Sequence, residues 1–424
     1  MFREPGKQSC ESVDAQGWLP VTLVSGFFGA GKSALIRHLL GHRGSQRWAL
    51  LVSDRSERLE EICARDTKGV QLFYFGEALV ELMGRCVGCS FRQNFTEAVL
   101  AIAQLWKFDR LIVECSGLTE PEFVVELFND AMAEGGALAS VACLDQIVTV
   151  VDGETLWENL HSSDQLRDRG LSSGADDNRS ISGLLVDQIE YSSLLVLNKL
   201  DRVPLTRQIR LTRLLEHLNP EATVLRGTYG AVPVESVLAE RPCRQEPVSF
   251  QPGWLKMVEG MSISPAVCDA QWTTGLFQAT RPFHPGRFWE MIKEDWPGVL
   301  RVRGYFWLAS QPDRCLVWAQ TAGVCHFEWV GNWWAATPEI EWPGDEEFRR
   351  TLAKDWTVEF GDRRQVLAFI GYRVDLEECF HRLRTCLVTP SEALMGEAEW
   401  TNFDEPVVLT GQEGWLSDED EERD

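Results

Sequence analysis

Three things are scarce in this 424-residue chain: long apolar runs, positive charge and clustered metal ligands. No window reaches the ~18 apolar residues of a membrane-spanning helix. The opening "MFREPGKQSCESVDAQGWLP" has no apolar segment of the kind a secretory leader carries. The expectation is a cytoplasmic protein with no membrane partner. Lys and Arg number 41 against 64 Asp and Glu, a formal charge of -23, and no basic run offsets it locally. Such a surface repels a phosphate backbone, which excludes nucleic acid as a partner. Part of the acid sits in the tail "SDEDEERD", which reads as a solvated end. Histidines number seven and are scattered. Cys86 and Cys89 form a CxxC, but no second CxxC or histidine pair accompanies it, so a closed four-ligand zinc site is not expected. In a reducing compartment the twelve cysteines should stay thiols, which favours metal binding or reactivity over a disulfide for that pair.

What is present is enough apolar side chain, 44 % of residues, for two or three domains at about 150 residues each. From Val21 to about Thr228, short β-rich runs such as "VTLVSGF", "WALLVS", "RLIVECS", "QIVTVVDG" and "LLVLNK" alternate with helical-period segments. These include "SALIRHLL", "FTEAVLAIAQLW", "PEFVVELFNDAMA" and "QIRLTRLLEHL". The alternation predicts an α/β domain, a mostly parallel sheet with helices on both faces. Aromatic-rich strands with two or three helices then predict a smaller C-terminal α+β domain. The expected division is an N-terminal extension at 1–19, the α/β domain at 20–240, a linker at 241–271, the second domain at 272–400 and an acidic tail at 401–424. Residues 161–180, rich in Ser, Gly and Asp, read as a mobile loop inside the first domain.

"GFFGAGKS", 26–33, follows the first strand and opens a helix, the context a G-x-x-x-x-G-K-[ST] phosphate loop requires. Gly26 and Gly31 permit backbone conformations a Cβ would forbid, so N–H groups of the loop converge on phosphate oxygens at the helix N-terminus. Gly29, Ala30 and Ala34 complete the expected nucleotide contacts. Lys32 brings a point charge to the β and γ oxygens, and the Ser33 hydroxyl is a ligand for Mg²⁺. "RLIVECSGLTEP" ends a buried strand in Glu114, placed to hold the Mg²⁺ shell or orient water, and Gly117 can approach the γ-phosphate closely. "LLVLNKLD" ends a later strand in Asn198, Lys199 and Asp201. An aspartate carboxylate accepts both N1–H and the 2-amino group of guanine, whereas adenine offers an acceptor at N1. The predicted nucleotide is therefore GTP.

With these residues in hand, the chain resembles the CobW-type P-loop GTPases, relatives of the urease and hydrogenase nickel-insertion GTPases. The resemblance covers nearly the whole chain. It rests on "GFFGAGKS", on Glu114, Gly117 and Pro121 as E-x-x-G-x-x-x-P, on "VVD" at 150–152, and on "QIE" at 188–190 ahead of "LNKLD". "LNPEATVLRGTYG" is similar to the segment closing the family's GTPase domain, and "RPFHPGRFW", "LRVRGYFWLA" and "FGDRRQVLAFIG" to its C-terminal domain. The resemblance implies a Mg²⁺-dependent GTPase that binds a transition metal, zinc first with cobalt, nickel or iron also open, and delivers it to a client metalloprotein. Lys32, Glu114 and Asp54 are then the catalytic candidates. Homo-oligomer formation stays open.

Two departures from the family pattern stand out. The family's C-x-C-C within "ELxNGCxCCTVR" becomes Cys86, Gly88 and Cys89, one thiolate short, and its "N-E-F-G" becomes "SDRS" with Asp54 keeping a carboxylate. Two thiolates can still chelate one ion, with Asp54, water or a partner's ligand completing the sphere. The pair lies between the phosphate loop and Glu114, where GTPases carry segments ordered by the γ-phosphate, so metal affinity is expected to depend on the nucleotide. Packing of both cysteines as small apolar groups is the plain alternative. Two other functions compete: a GTP-switched scaffold or activator that has lost its metal, and a small-molecule kinase on the same loop.

Overall fold

The computed structural model describes residues 18–53, 69–74, 87–105, 107–133, 135–171, 177, 179–238, 252–261, 271–405 and 414–416. The chain divides into two compact units. One lies within Met1–Asp152, Tyr191–Arg202 and Thr223–Phe250, the other within Gly153–Glu190, Val203–Ala222 and Gln251–Asp424.

The first unit is built on seven strands: β1 (Leu19–Ser25), β2 (Trp48–Val52), β3 (Val70–Tyr74), β4 (Arg110–Glu114), β5 (Ala142–Asp152), β6 (Leu194–Asn198) and β7 (Thr223–Arg226). They lie in the order β3-β2-β4-β1-β5-β6-β7, and every pairing is parallel. Parallel strands covered on both faces are continuously apolar, and β2, β4 and β6 are buried throughout. Side chains alternate between the faces. Val21, Leu23, Leu111 and Val113 pack with Phe95 and Val99 of α2 (Val87–Ala103) and Val124 and Phe128 of α3 (Pro121–Ala133). Val24, Ile112, Val148 and Val196 pack on the other face with Leu35, Ile36 and Leu39 of α1 (Lys32–Gly41). Cys115 lies in the first of these layers, opposite to Glu114, as strand parity requires. Cys143 on β5 is disulfide-bonded, a departure from the expectation that all cysteines stay thiols.

The second unit contains α4 (Ile181–Glu190) and α5 (Leu205–Leu218), and a six-stranded sheet of β8 (Trp272–Ala279), β9 (Val299–Phe306), β10 (Arg314–Thr321), β11 (Val324–Asn332), β12 (Gln365–Tyr372) and β13 (Gly414–Leu416). The order is β13-β11-β10-β9-β12-β8, all antiparallel. Its core is aromatic: Phe277, Phe306, Trp318, Phe327 and Phe369 meet Phe288 and Trp289 of α6 (Pro285–Ile292) and Phe380 of α7 (Leu376–Cys386). His284 caps α6, its Nδ1 accepting from Arg287 N at 3.4 Å, with Pro285 at the first helical position. Arg301 of β9 is buried, donating to both oxygens of Glu190 at 3.0 and 2.8 Å and to Asp187 at 2.9 Å. Burial, with Asp187 beside it, pushes the Glu190 carboxyl above its ordinary range against the pull of that guanidinium.

Candidate nucleotide site

The strand register sets the site. Glu114 stands abreast of Val24, one residue before the end of β1, and Asp152 stands abreast of Asn198. The ends of β1, β4, β5 and β6 thus present their loops side by side, where the order reverses around β1.

β1 turns into the phosphate loop at Gly26, which has φ 131; a Cβ there would lie 2.2 Å from the Val150 carbonyl oxygen. Only glycine lets the chain leave β1 so close to β5. Gly31, at φ 112, is the N-cap of α1, and its Cβ would lie 2.3 Å from Asn198 Nδ2. Gly29 has φ 72 and open space around it. Lys32 Nζ donates to Gly26 O at 2.6 Å and to Phe27 O at 3.3 Å, so the ammonium closes across its own loop. Ala34 N–H donates to Gly31 O at 3.1 Å in the first turn of α1.

Ser33 Oγ donates to Glu114 Oε1 at 3.1 Å, joining the start of α1 to the end of β4. Glu114 is buried. After it, Ser116 Oγ accepts from Leu118 N at 3.3 Å, turning the chain toward Pro121 at the head of α3. The close approach made by Gly117 is to Phe28, since a Cβ on it would lie 2.8 Å from Phe28 N and Cγ. The phosphate loop and the Glu114–Pro121 stretch are therefore in direct contact.

Asn198 hooks the loop from the other side. Its Nδ2 donates to Ala30 O at 2.9 Å, and its Oδ1 accepts from Gly230 N at 3.0 Å. Lys199 adopts φ 59 and its Nζ pairs with Asp152 Oδ2 at 2.7 Å. Asp201 lies exposed in the short 3₁₀ turn Leu200–Arg202. Asp54 and Cys86 lie outside the described residues, and Cys89 is described only as backbone of α2. Among the described residues no group of three or more His, Cys, Asp or Glu gathers as a metal site, and no helix is long and apolar enough to cross a membrane.

Three residues of the site are named in the sequence only through the family likeness, with no role assigned to them. Asp152 closes the family-like "VVD", and beyond that likeness it offers a charge ending an apolar strand. Gly230 and Tyr229, in "GTYG", end the segment similar to the family's and carry the turn signal of paired glycines. In the structure Gly230 has φ 76 and packs so tightly on α1 that a Cβ would lie 2.5 Å from Leu35 N.

Comparison with known proteins shows the family. The CobW/HypB/UreG nucleotide-binding domain matches residues 20–226, and the CobW C-terminal domain matches 272–387. A zinc-regulated GTPase metalloprotein activator 1 of Dictyostelium discoideum is 32 % identical over 420 residues, covering 95 % of this chain and 87 % of its own. The chain belongs to the CobW family. A zinc chaperone of Mycobacterium tuberculosis is 24 % identical over 338 residues, 78 % of this chain and 79 % of that protein. The hydrogenase maturation factor HypB of Archaeoglobus fulgidus aligns with a TM-score of 0.32 and 13 % identity, over 52 % of this chain and 87 % of that one. The parallel sheet of this CobW-family chain, with a separate antiparallel sheet, is the α/β plus α+β architecture its sequence predicted.

Proposed function

We propose that this CobW-family chain is a Mg²⁺-dependent GTPase that carries a divalent transition metal, zinc foremost, to a client metalloprotein. The observation that carries the reading is the Ser33–Glu114 contact at 3.1 Å, beside a phosphate loop whose lysine already spans it. A hydroxyl and a carboxylate are hard oxygen donors of the kind Mg²⁺ takes. Bound by them, the ion would neutralise charge on the β and γ phosphoryl oxygens. Gly26, Gly29, Ala30, Gly31 and Ala34 shape the backbone cradle, and Lys32 adds its charge. Asp201 selects guanine, while Asn198 and Lys199 fix the loops around it. Asp54 directly follows Ser53, whose N–H donates to Glu114 O at 3.2 Å, which suits a water-orienting role for its carboxylate.

Cys86 and Cys89 supply the thiolates for the cargo ion. Support for coupling them to the nucleotide comes from Arg92 on α2, which donates to Asp130 at 2.9 Å and to Glu126, both on α3. α3 opens at Pro121, shortly after Gly117, so the helix bearing Cys89 is tied to the helix that comes after Glu114. The names of the D. discoideum and M. tuberculosis relatives point to zinc. Gly88 favours a second reading, a GTP-switched activator whose metal site has decayed.

Competitive zinc titration with a Mg–GTP analogue and with Mg–GDP tests both. The chaperone reading expects unequal affinities, loss of stoichiometric zinc in Cys86→Ser and tighter zinc in Gly88→Cys. Equal affinity in the two nucleotide states would remove the coupling. Absence of stoichiometric zinc in the unaltered chain would leave the activator.

A further inference from the structure

The 227–230 loop is stitched at three points to the 197–200 stretch around Asn198. Gly227 N donates to Leu197 O at 2.9 Å, Leu200 N donates to Gly227 O at 3.3 Å, and Gly230 N donates to Asn198 Oδ1 at 3.0 Å. Tyr229 therefore stands beside the segment that carries Asn198, Lys199 and Asp201. It is 69 % exposed, so packing does not account for it.

Nor does the turn itself. Thr228 and Ala231 are bridged, with Ala231 N donating to Thr228 O at 3.0 Å, and the two residues between them have φ 55 and φ 76. Positive φ at both central positions is the habit of a type I′ turn, which prefers Asn or Asp before Gly. A ring-bearing residue there is strained. In the first unit, among the described residues, the two non-glycine residues with positive φ are Lys199 and Tyr229. Gly230 cannot drift, because α1 backbone lies where any Cβ would go. The loop is thus a rigid mount holding a rigid aromatic ring in solvent next to a base reader.

Resting on the GTPase reading, we infer that Tyr229 is the stacking surface for the purine of the bound nucleotide. Every base has a π-face, so stacking adds affinity with little regard to base identity. Asp201 would then choose the base and Tyr229 would grip it.

The test is the affinity of the full chain and its Tyr229→Ala, Tyr229→Phe and Tyr229→Gly variants for GDP, IDP and inorganic pyrophosphate. Tyr229→Ala is expected to weaken GDP and IDP by the same factor, on the order of ten-fold to a hundred-fold, with pyrophosphate unchanged. Tyr229→Phe should keep wild-type affinity. Tyr229→Gly should lose affinity yet melt higher than wild type, since glycine relieves the backbone strain. Unchanged GDP affinity in Tyr229→Ala, or an equal loss for pyrophosphate, would overturn the stacking role while the GTPase reading stood. A wild-type chain that bound no guanine nucleotide would overturn both.

Discussion

In the seven-stranded parallel sheet, β2, β4 and β6 are buried from end to end, and individuality is confined to the loops at the strand ends. In the six-stranded antiparallel sheet the individuality is inside, where Phe288 stacks on Phe283 and Phe306 at 4.9 and 5.0 Å and meets Trp318 edge-on at 5.9 Å. Parallel strands all finish at one edge, so their loops can converge on a ligand. Antiparallel strands send alternate loops to opposite edges, and the specificity of the sheet goes into packing.

The contrast can be broken at its strongest point by cutting the aromatic core. Phe288→Ala should lower stability by about 3–5 kcal/mol in chemical unfolding, while GDP affinity at low denaturant stays at the wild-type value. A large loss of GDP affinity would show that the packed sheet and the strand-end loops are not separable in this way. Gly26→Ala probes the opposite unit. Left-handed strain of about 1–2 kcal/mol adds to a collision with Val150 O, for which overpacking costs about 1–3 kcal/mol. Gly29→Ala carries the strain alone, its Cβ site being open. Nucleotide affinity should therefore fall further in Gly26→Ala than in Gly29→Ala, and equal losses would remove the close-approach argument.

Asp201→Asn should weaken GDP by about 1.5–3 kcal/mol without moving the melting temperature, since Asp201 is exposed. An amide presents a donor where the carboxylate accepted, so xanthosine diphosphate should gain what GDP loses.

The smallest effect is on pH dependence and belongs to the antiparallel unit. Burial, helped by the charge of Arg303, lowers the His326 imidazole from 6.5 to about 4. The unfolded chain takes up that proton near its ordinary value, so stability should decline as pH falls from 6.5 toward about 4. Hydrogen bonding to Arg287 holds the Glu392 carboxyl at about 2 against an ordinary 4.5. Its contribution is present above pH 4.5 and is lost as pH falls toward about 2. Melting temperatures across this range should drop in two stages. Glu392→Gln should flatten the lower stage, and His326→Gln the upper.

The parallel sheet and the phosphate loop are legible in the sequence because their signals are local: apolar runs of strand length, and glycine, lysine and serine at fixed offsets. Contacts made across the chain are not. Nothing in "LNKLD" announces that Asn198 will reach Ala30, 168 residues away. "QIE" is legible only as a family likeness; its use, Glu190 held by Arg301 across 111 residues, is a fact of packing. Within 161–180, the described residues around Leu166 are held by contacts that composition does not announce. Leu166 is fully buried, Gln165 N donates to Asp168 Oδ2 at 2.7 Å, and Arg169 reaches Asp164 and Asn159. One apolar anchor outweighs many polar neighbours when its own hydrogen bonds are satisfied nearby.

The amide of Asn198 ends up as a gauge block. One edge of it touches the cradle for the phosphates at Ala30, and the other touches the loop that carries Tyr229 through Gly230. The spacing of those two loops is thereby set to the width of a single side chain. Lengthening that side chain by one methylene, as in Asn198→Gln, would recalibrate both ends at once.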